Sequence, residues 1–470
     1  MRPPPPVPAA VRDADWAAHV AGRRGKSLLY AEPMLPRIDL RGRAPQALSR
    51  ASLRGVLPRA VLDVAAAAEQ VRPVCEDVRR RGAAAVREYT RRFDGVELDT
   101  TRVPEQALDD ALGKLDSGVR AALEESARRT AMVHRAQLRA DTTTEVARGL
   151  TVTGRFVPVS RAGVYVPAGL TAYPSSVIMN VLPAQVAGVA QIAVASPPQA
   201  AHGGLPHPAV LAACALLGVT EVHAAGGAQA LAMLAYGTGE CPPVDVITGP
   251  GNVYVAAAKR VLRGVVGTDG ENGPTEIAII ADAGACPGHL AADLVAQAEH
   301  DPLAACLLIT PDAGLADRVG RELAAAAGRA PHRDRIEQAL AGQSAQVITD
   351  DIESALAVAD AWAPEHLEIH ADRAGELARR VRNAGAVFAG PYAPVSLGDY
   401  LAGSNHVLPT GGSARHTAGL SVLPFLRLVN VVECTSDALT AALPYVTALG
   451  GAEDLPAHVD AVTARILGGS

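Results

Sequence analysis

The chain has 470 residues and a net charge of −6 at pH 7, with 49% hydrophobic and 20% charged residues. A chain of this length and composition folds around more than one core, which excludes an intrinsically disordered protein. Because no stripe of basic residues interrupts the negative charge, neither nucleic acid nor an anionic membrane is expected as a partner.

The cysteines and the apolar runs indicate the compartment. Six cysteines are scattered along the chain without a Cys-x-x-Cys pair. This spacing disfavours a disulfide framework and a thiolate zinc site, and it indicates small buried side chains in a reducing cytoplasm. No uninterrupted apolar run reaches the ~20 residues that a membrane helix needs. The proline-rich start also lacks the apolar core of a signal peptide, so we expect a cytoplasmic protein.

In chain order, residues 1–33 stand apart because they combine a proline run with the basic sequence at 23–26. We expect this extension to be poorly ordered, and a regulatory tail is the alternative. A short N-terminal segment, 34–60, follows. Between 61 and 141, apolar residues recur every three or four positions, which predicts helices that cover a sheet. Alternation of apolar and polar residues over 149–166 predicts strands.

The middle of the chain alternates between short strand-like runs and alanine-rich helical stretches. The strand-like runs begin at Ile192, Glu221, Val244, Glu276, Ala305, Gln346 and Ala386. This alternation predicts parallel sheets joined by right-handed crossovers. We therefore predict an α/β fold of two Rossmann-like units, with small helical segments at the N-terminus and again after Leu420.

Three glycine-containing turns follow predicted strands, at 165–169, 226–230 and 249–252. In parallel α/β sheets, ligands gather at the carboxyl ends of the strands, on such turns. The turn at 249–252 leads into a helix, so its backbone N–H groups are suited to an anion such as pyrophosphate. None of the three has the Gly-x-Gly-x-x-Gly pattern, and ordinary strand-to-helix turns use glycine equally often.

A predicted helix that ends before Pro302 carries Gln297 and His300. Residues three apart share a helical face, which is the spacing of a two-ligand metal site. A histidine at a helix C-terminus also interacts favourably with the helix dipole, so this pair alone leaves the question open.

Residues 363–410 concentrate acids, bases and glycines. Glu365 and His366 stand side by side after Pro364, which disfavours helical geometry at the residue before it, so a bend is predicted here. A carboxylate and an imidazole that reach one pocket suit water activation and proton transfer near neutral pH. The alternative is a surface loop, but Asp399, Asn405 and His406 add further polar groups to a glycine-rich stretch.

These motifs resemble those of the histidinol dehydrogenases, the enzymes of the last step of histidine biosynthesis. The resemblance rests on four sequences, Gln-Ala-Glu-His-Asp at 297–301, Ala-Pro-Glu-His-Leu-Glu at 363–368, Gly-Asp-Tyr-x-Ala-Gly-x-Asn-His-Val-Leu-Pro-Thr at 398–410, and Leu-x-Ala-His at 455–458. It extends from about Met34 to the C-terminus.

The resemblance implies a division into domains. Residues 61–162 and 274–418 are expected to form a first α/β domain, and 163–273 an inserted Rossmann-like NAD-binding domain. Residues 419–470 are expected to be a C-terminal helical segment that reaches the partner subunit of a homodimer.

The resemblance also assigns residues to roles. It implies one zinc ion per subunit, held by Gln297, His300, Asp399 and His458. It implies that NAD contacts Tyr165, Gln229 and Asn252. Substrate contacts fall on Thr275, Gln297, His300, Glu365, His366, Asp399, His406, Glu453 and His458, with Glu365 and His366 catalytic. Two positions depart from the family pattern, since Ala168 stands where a glycine is common and Val395 where an acidic residue is usual.

The implied reaction is the four-electron oxidation of L-histidinol to L-histidine with two NAD⁺. His366, near its ordinary pKa, is expected to take the alcohol proton, and Glu365 to activate the water that attacks the bound aldehyde. Three alternatives remain, which are oxidation of a related amino alcohol, a metal-dependent hydrolase, and a catalytically silent protein that senses NAD or serves as a scaffold.

Overall fold

The computed structural model describes residues 34–60, 63–168, 172–271 and 273–467. Its strands form three sheets of six, five and three strands. The strands are β1 Arg37–Asp39, β2 Thr142–Ala147, β3 Leu150–Pro158, β4 Arg161–Tyr165, β5 Gln191–Ser196, β6 Glu221–Ala224, β7 Val246–Thr248, β8 Gly267–Thr268, β9 Glu276–Ala281, β10 Ala305–Thr310, β11 Ala345–Ile348, β12 His366–His370, β13 Ala386–Ala389 and β14 Leu426–Cys434.

Helices connect and cover these strands. The first are α1 Arg50–Leu53, α2 Val64–Arg81, α3 Ala83–Asp94, α4 Glu105–Gly113, α5 Ser117–Ala136, α6 Pro174–Ala187, α7 Pro208–Leu216, α8 Gly227–Tyr236 and α9 Val253–Leu262. The remaining ones are α10 Pro287–Ala298, α11 Ala313–Arg329, α12 Arg333–Gly342, α13 Ile352–Trp362, α14 Ala374–Ala378, α15 Val395–Tyr400, α16 Ser436–Ala452 and α17 Pro456–Leu467. Short 3₁₀ turns lie at Pro45–Leu48, Ala200–His202, Ser413–Arg415 and Leu423–Phe425.

The six-stranded sheet has the order β1-β11-β10-β9-β12-β13, and every pairing in it is parallel. All residues of β9 and β10 are buried. Helices cover both faces, which explains why these strands are nearly continuous hydrophobic runs rather than alternating ones. Residues of α10, α11 and α12 pack on one face, while α13 packs on the other.

The five-stranded sheet has the order β6-β5-β4-β7-β8 and is also parallel. In sequence its strands lie between β1 and β9, which both belong to the six-stranded sheet. The prediction of two Rossmann-like parallel-sheet units, one inserted in the other, is therefore confirmed.

The helices of 64–136 differ from their predicted place. They were assigned to the first unit, but α2 and α3 pack against α8 and α9, which cover the five-stranded sheet. Likewise α4 and α5 contact α7 and α6 of the same unit. The reason is their apolar faces, which meet the alanine- and leucine-rich helices of the inserted unit. The other domain boundaries stay predictions.

The third sheet is antiparallel and has the order β14-β3-β2. Its strand β14 contradicts the prediction that 419–470 is helical, because nine residues of that segment are a strand paired along the whole of β3. The β-branched, alternating composition of 426–434 was the signal for this strand. The two helices α16 and α17 follow it. The N-terminal segment 34–60 likewise contributes β1 to the six-stranded sheet in addition to its short helix.

The expectation for residues 1–33 lies outside the described ranges. Within those ranges, none of the helices is both long and apolar enough to cross a membrane.

Candidate active site

Glu365 and His366 lie at the end of the six-stranded sheet where its parallel strands begin. Thr275 directly precedes β9, Glu365 directly precedes β12, and His366 is the first residue of β12. This differs from the expectation that functional residues gather at the carboxyl ends of strands. The residues predicted to contact NAD do lie after such ends, in the five-stranded sheet. There Tyr165 ends β4, Gln229 follows β6 and Asn252 follows β7.

A tight turn after α13 brings Glu365 and His366 together. Ala363 ends α13 in the left-handed conformation, with φ 55° and ψ 70°, although it is not glycine. Such geometry costs free energy for a residue with a Cβ and is found where the surroundings enforce it. The predicted bend is therefore present at 363–365, and Glu365 Oε2 lies 3.6 Å from His366 Nδ1.

The backbone of Glu276 holds both side chains. Its N–H donates to Glu365 Oε2 at 2.9 Å, and its carbonyl oxygen lies 3.1 Å from His366 Nδ1. Because a carbonyl only accepts, Nδ1 carries the proton and Nε2 is left as the basic nitrogen. The Thr275 hydroxyl donates to the same Glu365 oxygen at 2.6 Å.

Burial shifts the pKa values of this pair in opposite directions. It raises the pKa of Glu365 well above its ordinary value, against the hydrogen bonds from Thr275 and Glu276. It lowers the pKa of His366 to about 4. His366 was expected near its ordinary pKa, and that expectation is wrong because desolvation disfavours the imidazolium ion. A neutral imidazole is thus ready to accept a proton throughout the physiological range.

A cavity of about 670 Å³ opens beside this pair, and Gln297, His300 and Asp399 line it. His300 Nε2 lies 3.9 Å from Asp399 Oδ2. Gln297 Nε2 donates to Thr275 Oγ1 at 2.5 Å, which ties the cavity to the Glu365 network. The amide oxygen of the same side chain, Gln297 Oε1, is buried and has no hydrogen-bond partner among the described residues.

That orphaned oxygen tests whether a metal fits here. A buried acceptor without a partner costs free energy unless a cation or a donor satisfies it. Together with an imidazole and a carboxylate on the same cavity wall, it forms an N/O donor set suited to zinc. The residues present therefore fit the group that the sequence motifs imply.

His406 connects the cavity region to the inserted unit. Its Nε2 lies 3.3 Å from the Ser176 hydroxyl in the first turn of α6. The neighbouring Asn405 donates from Nδ2 to the carbonyl oxygen of Met179 at 2.6 Å, also in α6. Burial lowers the pKa of His406, against the pull of Asp399.

The described parts of the three turns follow β4, β6 and β7 of the five-stranded sheet, whose strand order reverses between β4 and β7. Gly249 has φ 123°, and a Cβ there would lie 2.0 Å from the carbonyl oxygen of Tyr165, so only glycine fits. The Tyr165 hydroxyl accepts from the N–H of Gly227 at 3.1 Å. Asn252 caps α9, accepting from the backbone N–H groups of the second and third helical residues at 3.1 and 3.2 Å.

Sequence reasoning missed two groups that support these turns. The buried Lys259 donates to the carbonyl oxygen of Gly249 and to Asp269 Oδ1, both at 2.5 Å. Gln229 Nε2 lies 3.5 Å from Asp94 Oδ2, and burial raises the pKa of Asp94 to about 6. A lone lysine in the apolar sequence of α9 was the available signal for the first. No signal in residue type pointed to Asp94.

Comparisons with known proteins identify the family. A sequence model of histidinol dehydrogenase matches residues 57–466. A histidinol dehydrogenase of Thermobifida fusca is 61% identical over 434 residues, covering 92% of this chain and 98% of its own length. One from Mycobacterium tuberculosis is 55% identical over 439 residues, covering 92% and 98%. The chain belongs to the histidinol dehydrogenase family. It is therefore an enzyme and an oxidoreductase, and membership in this family implies the use of NAD.

The fold agrees with a solved histidinol dehydrogenase. The crystal structure of the enzyme from Elizabethkingia anophelis superposes with a TM-score of 0.87 at 29% identity, covering 93% of this chain and 99% of that one.

The single chain gathers most of the predicted site but not all of it. The group around the cavity and the acid–base pair comprises Thr275, Gln297, His300, Glu365, His366 and Asp399. Glu453 and His458 lie exposed at the end of α16 and on α17, and neither is among the residues that line the cavity in the described part of the chain. Ser176 and Glu276 were not predicted, because one contributes a common hydroxyl and the other acts on the pair through its backbone.

Val395, where the family pattern has an acid, begins α15 and is buried. Its N–H donates to the buried Glu368 Oε1 at 2.8 Å. A carboxylate is thus present beside this position, supplied by β12.

Proposed function

We propose that this chain catalyses the zinc-dependent, four-electron oxidation of L-histidinol to L-histidine, through histidinal that stays bound, with two molecules of NAD⁺. The observation that carries the proposal is the hydrogen-bonded chain Gln297–Thr275–Glu365, which joins a metal-type donor set to the acid–base pair. A dehydrogenase that also adds water needs all three functions in one pocket, namely orientation, a neutral base and a second base for water.

His366 is the base for the alcohol. Its Nδ1–H is held by the carbonyl oxygen of Glu276, so Nε2 faces away from the backbone with a free lone pair. Because its pKa is about 4, the imidazole is neutral and can take the hydroxyl proton while hydride leaves the adjacent carbon.

Glu365 is the base for water in the second oxidation. An aldehyde has to be hydrated before its carbon can release a hydride, and a carboxylate of raised pKa is a stronger base than an ordinary one. The two hydrogen bonds to Oε2 leave its other oxygen for the water. As pH falls through the pKa of Glu365, this carboxylate is protonated and the second oxidation slows.

Gln297, His300 and Asp399 are proposed to hold the zinc ion, with His458 as the fourth ligand. When bound, zinc supplies an anchor for the imidazole and amine of the substrate, which fixes its orientation. His406, whose Nε2 is positioned by the Ser176 hydroxyl, is proposed to contact the substrate. Thr275 hydrogen-bonds to both Glu365 and Gln297 and so fixes their relative positions.

NAD⁺ is the hydride acceptor and is proposed to bind at the carboxyl ends of the strands of the five-stranded sheet, between β4 and β7. Its position at the reversal of strand order is the usual place for a dinucleotide in such sheets. The exposed Asn252 at the N-terminus of α9 and the close approach of Gly249 to Tyr165 support the assignment.

A homodimer with shared active sites is proposed from the C-terminal segment. Tyr445, Leu449 and Leu467 on α16 and α17 are 65–77% exposed, and Leu428 and Val432 on β14 are 58% and 63% exposed. A group of exposed large apolar side chains within one segment is typical of a protein interface. Placed against a second copy, the same segment can carry Glu453 and His458 into the neighbouring cavity.

NADH absorbance on adding histidinol and NAD⁺ tests the proposal. Two NADH per histidinol are expected, with histidine as product. A yield of one NADH per histidinol would show that the reaction stops at the aldehyde. NADH formation only with another amino alcohol would show a different substrate. Metal-dependent hydrolysis without NADH would replace the proposal.

Removal of the metal is expected to abolish turnover, and His300→Asn is expected to lower metal content and turnover together. The reason is that the remaining donors cannot replace an imidazole on the cavity wall. Metal analysis beside the NADH assay measures both. His289→Asn, an exposed position in α10, the helix that ends two residues before His300, is the control and should change neither. Full activity in a metal-free preparation would refute the role of zinc.

A further inference from the structure

Arg59 lies behind the acid–base pair, in the N-terminal segment to which no function has been assigned above. Its Nε is 2.6 Å from Glu276 Oε1, and its Nη2 donates to Glu276 Oε2 at 3.2 Å. The carboxylate of Glu276 is 3% exposed and the Arg59 side chain 19%. This is therefore a buried ion pair in which Nη2 makes the hydrogen bond to Glu276 and Nε makes only a close charge contact.

The same guanidinium reaches the second chain segment that builds the site. Nη2 of Arg59 donates to the carbonyl oxygen of Trp362 at 2.7 Å, and the guanidinium carbon lies 4.4 Å from the centre of the Trp362 ring. Trp362 is the last residue of α13, immediately before the left-handed Ala363. The indole in turn donates to the carbonyl oxygen of Pro58 at 3.2 Å, so the contact is made from both sides.

Arg59 thus joins the two segments on which the catalytic geometry depends. One is the start of β9, where the Glu276 backbone holds Glu365 and His366. The other is the end of α13, from which the chain turns through Ala363 into Glu365. A strained turn persists only when its neighbours fix it, and Arg59 bonds to Trp362 before this turn and is linked through Glu276 to Glu365 after it.

We propose that Arg59 is a positioning residue that fixes Glu365 and His366 relative to each other, because it binds both Glu276 and the C-terminal end of α13. The inference rests on the proposed function of that pair. Arg59 acts through Glu276 and Trp362, and among the described residues it has no hydrogen bond or ion pair with the proposed metal ligands Gln297, His300 and Asp399. Its loss should therefore impair catalysis without loss of metal.

The test compares Arg59→Met, Arg59→Lys and Arg59→Met/Glu276→Gln in the full chain. For Arg59→Met, kcat is expected to fall about 10- to 100-fold, as for a misplacement of catalytic groups by a fraction of an ångström. Histidinol and histidinal oxidation should slow by the same factor, because both bases move. KM for histidinol and metal content should stay close to those of the wild type.

The other variants separate positioning from simple neutralisation of charge. In Arg59→Met/Glu276→Gln no unpaired charge is buried, so the thermal midpoint should recover, while kcat stays low because methionine cannot bridge residue 276 and Trp362. Arg59→Lys keeps the charge but replaces the planar guanidinium by a single ammonium nitrogen, so it should keep the thermal midpoint and recover only part of kcat. Arg41→Met, in the same segment, removes an exposed ion pair with Asp39 and should change nothing.

Two results would overturn the proposal. One is a folded Arg59→Met or Arg59→Lys enzyme with the kcat of the wild type. The other is a kcat that returns together with the thermal midpoint in Arg59→Met/Glu276→Gln, which would leave Arg59 only the task of neutralising Glu276. If Arg59→Met does not fold, Arg59→Lys decides. Failure of the proposed function is distinguishable, because the wild type itself would then form no NADH from histidinol.

Discussion

Glu365→Gln is expected to lower kcat for histidinal oxidation by about 10²- to 10⁴-fold and to slow histidinol oxidation to the aldehyde much less. The amide can still accept the hydrogen bonds from Thr275 and Glu276, so the geometry is kept while the base is lost. The measurement is NADH formation with each substrate in turn. The decrease in histidinal oxidation that protonation of Glu365 causes as the pH falls should also disappear in this variant. His366, with a pKa of about 4, stays neutral over the pH range in which Glu365 titrates.

His366→Asn is expected to slow both oxidations, because each hydride transfer needs its base. Glu353→Gln, which removes an exposed carboxylate on α13, is the control for the glutamate substitution and should leave both rates unchanged. Equal losses in both oxidations for Glu365→Gln would contradict the division of labour between the two residues.

Mixing Glu365→Gln and His458→Asn homodimers, both inactive in the complete oxidation of histidinol to histidine, is expected to restore this activity after subunit exchange. In a mixed dimer with shared sites, one site carries both defects and the other carries every native residue. Exchange at equal amounts makes about half of the dimers mixed, so about one site in four should recover in a two-fold assembly. Histidine formation before and after exchange measures the recovery.

Two residues of one chain provide the matched control. Glu365 and His300 belong to the same chain, joined through Thr275 and Gln297. A mixture of Glu365→Gln and His300→Asn homodimers therefore contains no intact site and should stay inactive. Persistent inactivity of the Glu365→Gln and His458→Asn mixture after verified exchange would place His458 in the site of its own subunit.

The sequence was sufficient for the strands that are buried on both faces. The runs at 276–281 and 305–310 are continuous and β-branched, and each is a strand of the parallel sheet. The strand at 426–434 was missed, although its alternation indicated one, because helices were expected throughout the C-terminal segment. Pairing with β3, a contact between residues far apart in sequence, is what fixes this segment as a strand.

The site was predictable where residue type carries the chemistry. Gln297, His300, Asp399 and the Glu365–His366 pair have side chains that few other tasks require together. The contribution of Glu276 was not predictable, because its backbone N–H and carbonyl group hold the pair and every residue except proline offers both. Arg59 was equally hidden, since its contacts are made at a distance of more than two hundred residues along the chain. The pKa of His366 depends on burial, which no local sequence pattern reports.

The contacts of α6 with Asn405 and His406 have a thermodynamic consequence. They join a helix of the unit proposed to bind the dinucleotide to the loop proposed to bind the amino alcohol. If either ligand gains free energy by ordering these contacts, the other ligand gains the same amount, because coupling between two binding equilibria is reciprocal. Each ligand then raises the affinity for the other by the same factor. The measured affinity of an inhibitor for one site therefore depends on whether the other site is occupied.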